Sequence, residues 1–253
     1  MTGTARRVVP VALGLVAFLC ATSACTINGA NTPPRSDEQE FSLDGQELTI
    51  NAGNFDLRVV PAPGDAVNAK RSLTGMAAEE GNASWSLENG ELRLTARCEG
   101  FSPGCGASFE VGVPAEANLS LISDAGGIRV VDVPNNLDIR NTNGTVNLNN
   151  VSGRLQVNGV AGAISGERLR SSEVNVRSEN GSVRLGFTNP PDSVEAVARH
   201  SSVVVTLPTE HSYAITATSE YDRAEINLPH DPDSPRKVRA ANLNGGAVVV
   251  QGA

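Results

Sequence analysis

The sequence predicts an all-β protein: a single-stranded β-helix, or β-solenoid, with an antiparallel β cap at its N-terminal end. Three observations carry this. Aliphatic markers recur every nine residues through Leu119, Ile128, Leu137, Val146, Leu155 and Ile164. Most of them open a short alternating pair, such as Ile128-Arg129-Val130 or Leu137-Asp138-Ile139, and alternation marks a strand with one buried face. Aromatic residues make up only 4% of the 253. An interior filled by Val, Leu, Ile and Ala suits a narrow shaft better than a deep core.

The regular count separates a solenoid from a sandwich or a barrel. Hairpin folds vary their loop lengths, whereas each rung of a solenoid must land on the one before it. The count continues through Val174, Val183, Val194 and Val203, with steps of ten, nine, eleven and nine. Two units make a coil of about 18 residues with two main faces, and three-sided coils of the same units remain open. The turns are rich in Asn, Gly, Ser and Asp, which tolerate positive φ or bond their own backbone. Asn141, Asn143, Asn149, Asn150 and Asn158 fit either stacked side-chain ladders or plain turn preference.

Taken in chain order, residues 1–24 read as an export signal: Arg6 and Arg7, an apolar run from Val8 to Leu19, then small residues. The run is short for a membrane span. Cys25 follows Thr-Ser-Ala, as in a bacterial lipobox whose cysteine is lipidated and anchors the protein to the membrane. Thr22 stands where that box usually carries Leu, and ordinary signal cleavage is the alternative. Cys20 falls in the discarded leader. Residues 25–40 are polar, hold Pro33 and Pro34, and read as a disordered tether.

Residues 41–115 lack the nine-count and read as the N-terminal β cap. Trp85-Ser-Leu87 and Leu92-Arg-Leu94 flank Glu88-Asn89-Gly90-Glu91, a two-residue hairpin signal. Leu48-Thr-Ile50 and Leu57-Arg-Val59 add strands. Cys98 and Cys105 are expected to form a disulfide that staples this region, since nearby cysteines outside the cytosol pair. A metal is disfavoured by their spacing and by the absence of a nearby His. Residues 116–253 form the repeats, broken by DPDSPRKVRAANLNGG and closed by Ala247 to Val250.

The stretches SENGSVRLGF, PPDSVEAVARHSSVVVTLP and SYAITATSEYDRAEINLP resemble the bacterial putative-adhesin domain family, a group of uncharacterised envelope proteins. The matching features are Gly181-Ser182-Val183, Leu207-Pro208 and Tyr213. CEGFSPGCGASFEVGVP is similar to a paired-cysteine segment of actinobacterial members. The resemblance runs from about Phe41 onward. It implies a right-handed β-solenoid, often exported or membrane-anchored, and it carries no catalytic residues.

The chemistry-bearing residues form no catalytic pattern. His200 adjoins Ser201 and Ser202, but neighbours on a strand point to opposite faces, and no nucleophile elbow is present. His211 and His230 lack zinc spacing. Asp231, Asp233 and Ser234 lack a calcium-loop pattern. No metal site and no cofactor are expected. Carbohydrate-active enzymes on β-helices need carboxylates and basic residues on one outer face. Asp132, Asp138, Arg129 and Arg140 are the candidates for that, and their simpler reading is surface ion pairing.

The net charge of −8, about −10 once Arg6 and Arg7 are removed, argues against nucleic acid as a partner. The leading expectation is therefore a non-enzymatic, lipid-anchored protein on the outer face of the cell membrane, or a secreted one. It would offer a rigid polar face, with Arg129 and Arg140 as outward binding residues, to an envelope glycan or surface protein. The alternatives are a carbohydrate-active enzyme and a structural partner of a membrane protein.

Overall fold

A computed structural model describes residues 32–99 and 103–253. Residues 1–31, which include Arg6, Arg7 and Cys20 of the expected leader and the expected lipidation site Cys25, lie outside the described residues. The fold is all-β, in an 11-stranded and a 10-stranded sheet, neither closed on itself.

The repeats alternate between the sheets. In the smaller sheet lie β8 (Asn118–Ser123), β10 (Leu137–Asn141), β12 (Leu155–Gly159), β14 (Glu173–Ser178) and β16 (Ser193–Ala198). In the larger lie β9 (Ile128–Val131), β11 (Val146–Asn149), β13 (Ile164–Leu169), β15 (Val183–Phe187) and β17 (Val203–Leu207). Each strand pairs in parallel with the strand two places on, so Ile128 faces Val146 and Val146 faces Ile164. The nine-residue count is thus the step from one sheet to the other, and twice that count is the step along one sheet.

Parity follows the alternation. Val146 and Leu148 are buried, while Thr145 and Asn147 are exposed. The inward side chains of both sheets join in one core that runs from Leu48 to Val250. Each such aliphatic side chain stabilises the fold by about 1.5–3 kcal/mol.

Corners explain the glycines. A Cβ on Gly144 would sit 2.0 Å from the backbone oxygen of Gly126, and one on Gly153 would sit 2.0 Å from that of Asn135. Successive corners nest too closely for any side chain. Three of the asparagines expected at turns serve these corners, while Asn136 stacks on Asn118 of the preceding coil, donating to its Oδ1 at 3.0 Å. Buried Asn141 donates to the Gly126 oxygen at 3.0 Å, Asn143 donates to the Asp124 oxygen at 3.0 Å, and Asn150 donates to Asp132 Oδ1 at 2.7 Å.

The N-terminal region differs from expectation in two ways. It comprises β1 (Arg35–Ser42), β2 (Glu47–Asn51), β3 (Asp56–Pro61), β4 (Ala66–Thr74), β5 (Ala83–Glu88), β6 (Glu91–Ala96) and β7 (Gly106–Val113). First, β1 begins at Arg35, so residues 35–40, expected in the tether, form a strand antiparallel to β4. The pairing holds polar side chains through Lys70–Glu38 (2.8 Å) and Arg71–Asp37 (2.9 Å), to which hydrophobic periodicity is blind. Second, the cap is only partly antiparallel. β2 and β3 lie parallel to β8 and β9 and continue the repeats, while β1–β4–β7 and the β5–β6 hairpin supply the antiparallel pairs.

Cys98 and Cys105 form a disulfide. Cys105 packs on a small cluster of Leu73, Ala77 and Ala78 at a 3-10 turn, Gly75–Ala78. Closing so short a loop contributes about 2–3 kcal/mol in the chain-entropy model.

At the other end the order is not sequential. β18 (Ala214–Ser219) and β19 (Ala224–Asn227) are the outermost strands, and β20 (Lys237–Asn242) and β21 (Val248–Gly252) slot in behind them. β20 pairs with both β16 and β18, and β21 with both β17 and β19. Val248 and Val250 are fully buried there. Tyr213, also fully buried, donates its hydroxyl to the Pro208 oxygen at 3.1 Å and closes the loop between Leu207-Pro208 and β18. Its burial raises the phenol above its ordinary value of 10.0.

Candidate binding face

The outward side chains of the larger sheet form rows set by strand register. One row runs Glu38, Lys70, Glu110, Arg58, Arg129, Asn147, Ser165, Arg184 across β1, β4, β7, β3, β9, β11, β13 and β15. Its first four members pair off: Glu38 with Lys70 at 2.8 Å, and Glu110 with Arg58 at 2.9 Å. The hydrogen bond and charge of Glu38 hold the Lys70 ammonium above its ordinary 10.5. Arg129 is exposed and, among the described residues, has no hydrogen-bonding or ionic partner. It stands directly across from Arg58. Facing like charges destabilise a sheet, and here the Glu110 carboxylate on Arg58 offsets one of the two.

The row crosses a shallow groove of about 550 Å³, lined by Asp56, Arg58, Lys70, Ser72, Glu110, Arg129, Thr145 and Asn147 among others. A second depression of about 320 Å³ continues it past Arg129 toward Asn149, Ser165 and Glu167. Asp56 is not free to meet a ligand with both oxygens: its Oδ1 accepts the Gly127 N–H at 2.8 Å. The arrangement offers guanidinium, ammonium, amide and hydroxyl donors along an extended path. The carboxylates of Asp56, Glu110 and Glu167 line the same path.

The structure separates the two arginines expected to share a face. Arg140 lies on β10 in the smaller sheet and bonds Asp138 at 2.8 Å, so Arg129 and Arg140 point to opposite sides of the molecule. The enzyme candidates separate in the same way. Asp132 sits at a corner bonded to Asn150, while Asp138 is on the other sheet. Two of the three histidines also serve structure. His230 Nδ1 accepts the Ile215 N–H at 3.1 Å, and His200 Nδ1 meets the Asn244 side-chain amide at 3.0 Å. Asp231 Oδ1 accepts the Asp233 N–H at 3.0 Å in a local turn. Among the described residues no group of three His, Cys, Asp or Glu converges.

Sequence reasoning missed Arg58 and Lys70. Both lie before the nine-count begins, and Arg58 is 71 residues from Arg129, so only register brings them together. The signal available was the outward position of Arg58 between Leu57 and Val59.

No family model and no curated protein matches the chain. Solved structures do. A putative adhesin from Bacteroides fragilis aligns over 87% of this chain and 97% of its own, with a TM-score of 0.51 at 13% identity. A putative lipid binding protein from Parabacteroides distasonis aligns over 89% and 96%, with a TM-score of 0.47 at 13% identity. A putative cell adhesion protein from Clostridium sporogenes aligns over 87% and 100%, with a TM-score of 0.43 at 10% identity. The fold of this chain is one that the Bacteroides fragilis structure shares.

Proposed function

We propose that this chain is an exported, lipid-anchored member of the adhesin-like envelope proteins, and that it binds without catalysis. Its body is a right-handed β-solenoid. The outer face of the larger sheet grips an anionic segment of an envelope glycan along the groove centred on Arg129. The observation that carries this reading is the unpaired Arg129 set against Arg58, in a chain of net charge −8. Export is supported by the Cys98–Cys105 disulfide, which persists in oxidising compartments, and by the export-signal pattern of residues 1–24 ahead of Cys25. Non-catalytic binding is supported by the separation of the two carboxylate candidates, Asp132 at a corner after β9 and Asp138 on β10 of the other sheet.

The test is binding to an immobilised acidic polysaccharide, such as polygalacturonate, against a neutral one. Arg129→Ala and Arg58→Ala should each weaken binding about tenfold, the loss of one charge-assisted contact. Arg140→Ala, on the other side, should leave it unchanged. Equal losses from all three would overturn the site. For the anchor, Cys25→Ser should release the protein from the membrane into the medium, and full retention would exclude lipidation there.

A further inference from the structure

We infer that the open end of the stack, formed by β18 and β19, is a docking edge for an extended protein segment with alternating apolar and basic residues. This surface is separate from the Arg129 groove and does not depend on it.

The end is unfinished in two respects. On β19 the inward side chains are not covered: Ala224 and Ile226 face the buried Val248 and Val250 in register, yet Ile226 is 39% exposed and Tyr221, in the adjoining turn, is 72% exposed. Its backbone is not paired. The Val248 N–H donates to the Arg223 oxygen at 2.8 Å, which turns Arg223, Glu225 and Asn227 toward β21. In a parallel ladder the alternate residues, Ala224 and Ile226, then direct N–H and C=O to the open side. On β18 the Ala214 N–H donates to the Arg236 oxygen at 2.8 Å, so Ala217 and Ser219 likewise face outward. Only the start of that edge is covered, by His230 on the Ile215 N–H and by the Asp231 N–H on the Tyr213 oxygen.

Charge identifies the occupant. Glu220, Asp222 and Glu225 stand on the turn and outer strand against a single guanidinium, Arg223, which leans on Glu225 at 3.6 Å. A second copy would bring the same carboxylates to this end, or the Asp37, Glu38 and Glu40 of β1 from its other end. Like charges would meet in either case. A basic strand meets opposite charge, pairs with the free backbone groups, and lays its apolar residues over Ala224 and Ile226.

The experiment uses the mature protein and a short peptide of alternating valine and lysine, with a valine–glutamate peptide as comparison, followed by fluorescence anisotropy and amide hydrogen exchange. The basic peptide should bind and slow exchange at Ala224 and Ile226. Raising salt tenfold should weaken it by about tenfold or more. Ile226→Pro removes only an outward N–H, so the variant should fold, with unchanged circular dichroism, and lose binding. Ile226→Lys, which keeps the N–H, should also weaken it. The Arg129→Ala variant should bind the peptide normally. Equal binding of the acidic peptide would overturn the proposal. So would undiminished binding by folded Ile226→Pro, or self-association of the unliganded protein abolished by that variant.

Discussion

The two ends of the stack are finished by different means. At the N-terminal end, strands of opposite direction and large side chains close the shaft. Phe41 and Trp85 meet edge to face with centroids 6.3 Å apart, and the buried Arg71 lies over the Trp85 ring at 4.3 Å while bonding Asp37. At the C-terminal end there is no such lid. The chain instead lays down β18 and β19, then returns to fill the slot behind them with β20 and β21. The slot takes Val248-Val249-Val250, a run prone to pair with other chains if left at an edge. The strand left outside, Ala224–Asn227, is short and carries charge. One end is sealed by side-chain packing, and the other is made tolerable by choosing which strand is exposed.

The largest test of this contrast is in the stretch both ends share. Val146→Asp places a carboxylate in the dry interior between Ile128 and Ile164. It should abolish folding, or cost more than about 4 kcal/mol in denaturant titrations. Next is the comparison itself. Leu92→Ala in the sealed end should cost about 3–4 kcal/mol, whereas Ile226→Ala at the open end should cost under about 1 kcal/mol. Similar costs would mean the C-terminal end is covered. Gly144→Ala pushes a methyl into the neighbouring corner and should cost about 2–3 kcal/mol.

A smaller effect concerns acid. Burial pushes the Asp37 carboxyl up, but hydrogen bonds and charge from Arg35 and Arg71 outweigh it and hold the group below its ordinary 3.8. The stability it contributes is therefore full above about pH 4 and fades as pH falls through the lower, folded-state value. Asp37→Asn should lower stability slightly across the neutral range, flatten that part of the profile, and converge with the parent in acid. Smallest of all, Thr145→Asp, beside Val146 but outward, should fall within about 0.5 kcal/mol of the parent.

The repeats were legible because their physics is periodic. Stacked rungs force equal spacing, and a thin shaft forces aliphatic side chains in alternation. Parity told correctly that Arg129 and Arg140 point outward. It did not tell on which side, because residues about nine apart fall on opposite sheets and residues about 18 apart share one; Asn147, not Arg140, is the neighbour of Arg129. β1 was illegible because its stability comes from pairing and ion pairs, with no apolar stripe. The filling of the C-terminal slot was illegible for a different reason. Val248 fits behind Ala224 or beyond it equally well by pattern, and only the competition between edges decides.

Cross-linking tests the central claim, that successive strands alternate between sheets and stack at every second unit. With Asn147→Cys and Ser165→Cys, which face each other across β11 and β13, oxidation should form an intramolecular disulfide in high yield. With Asn147→Cys and Gln156→Cys, outward on opposite sheets, it should form none. A hairpin arrangement of β11 and β12 would bring the second pair together and part the first, and that result would contradict the account.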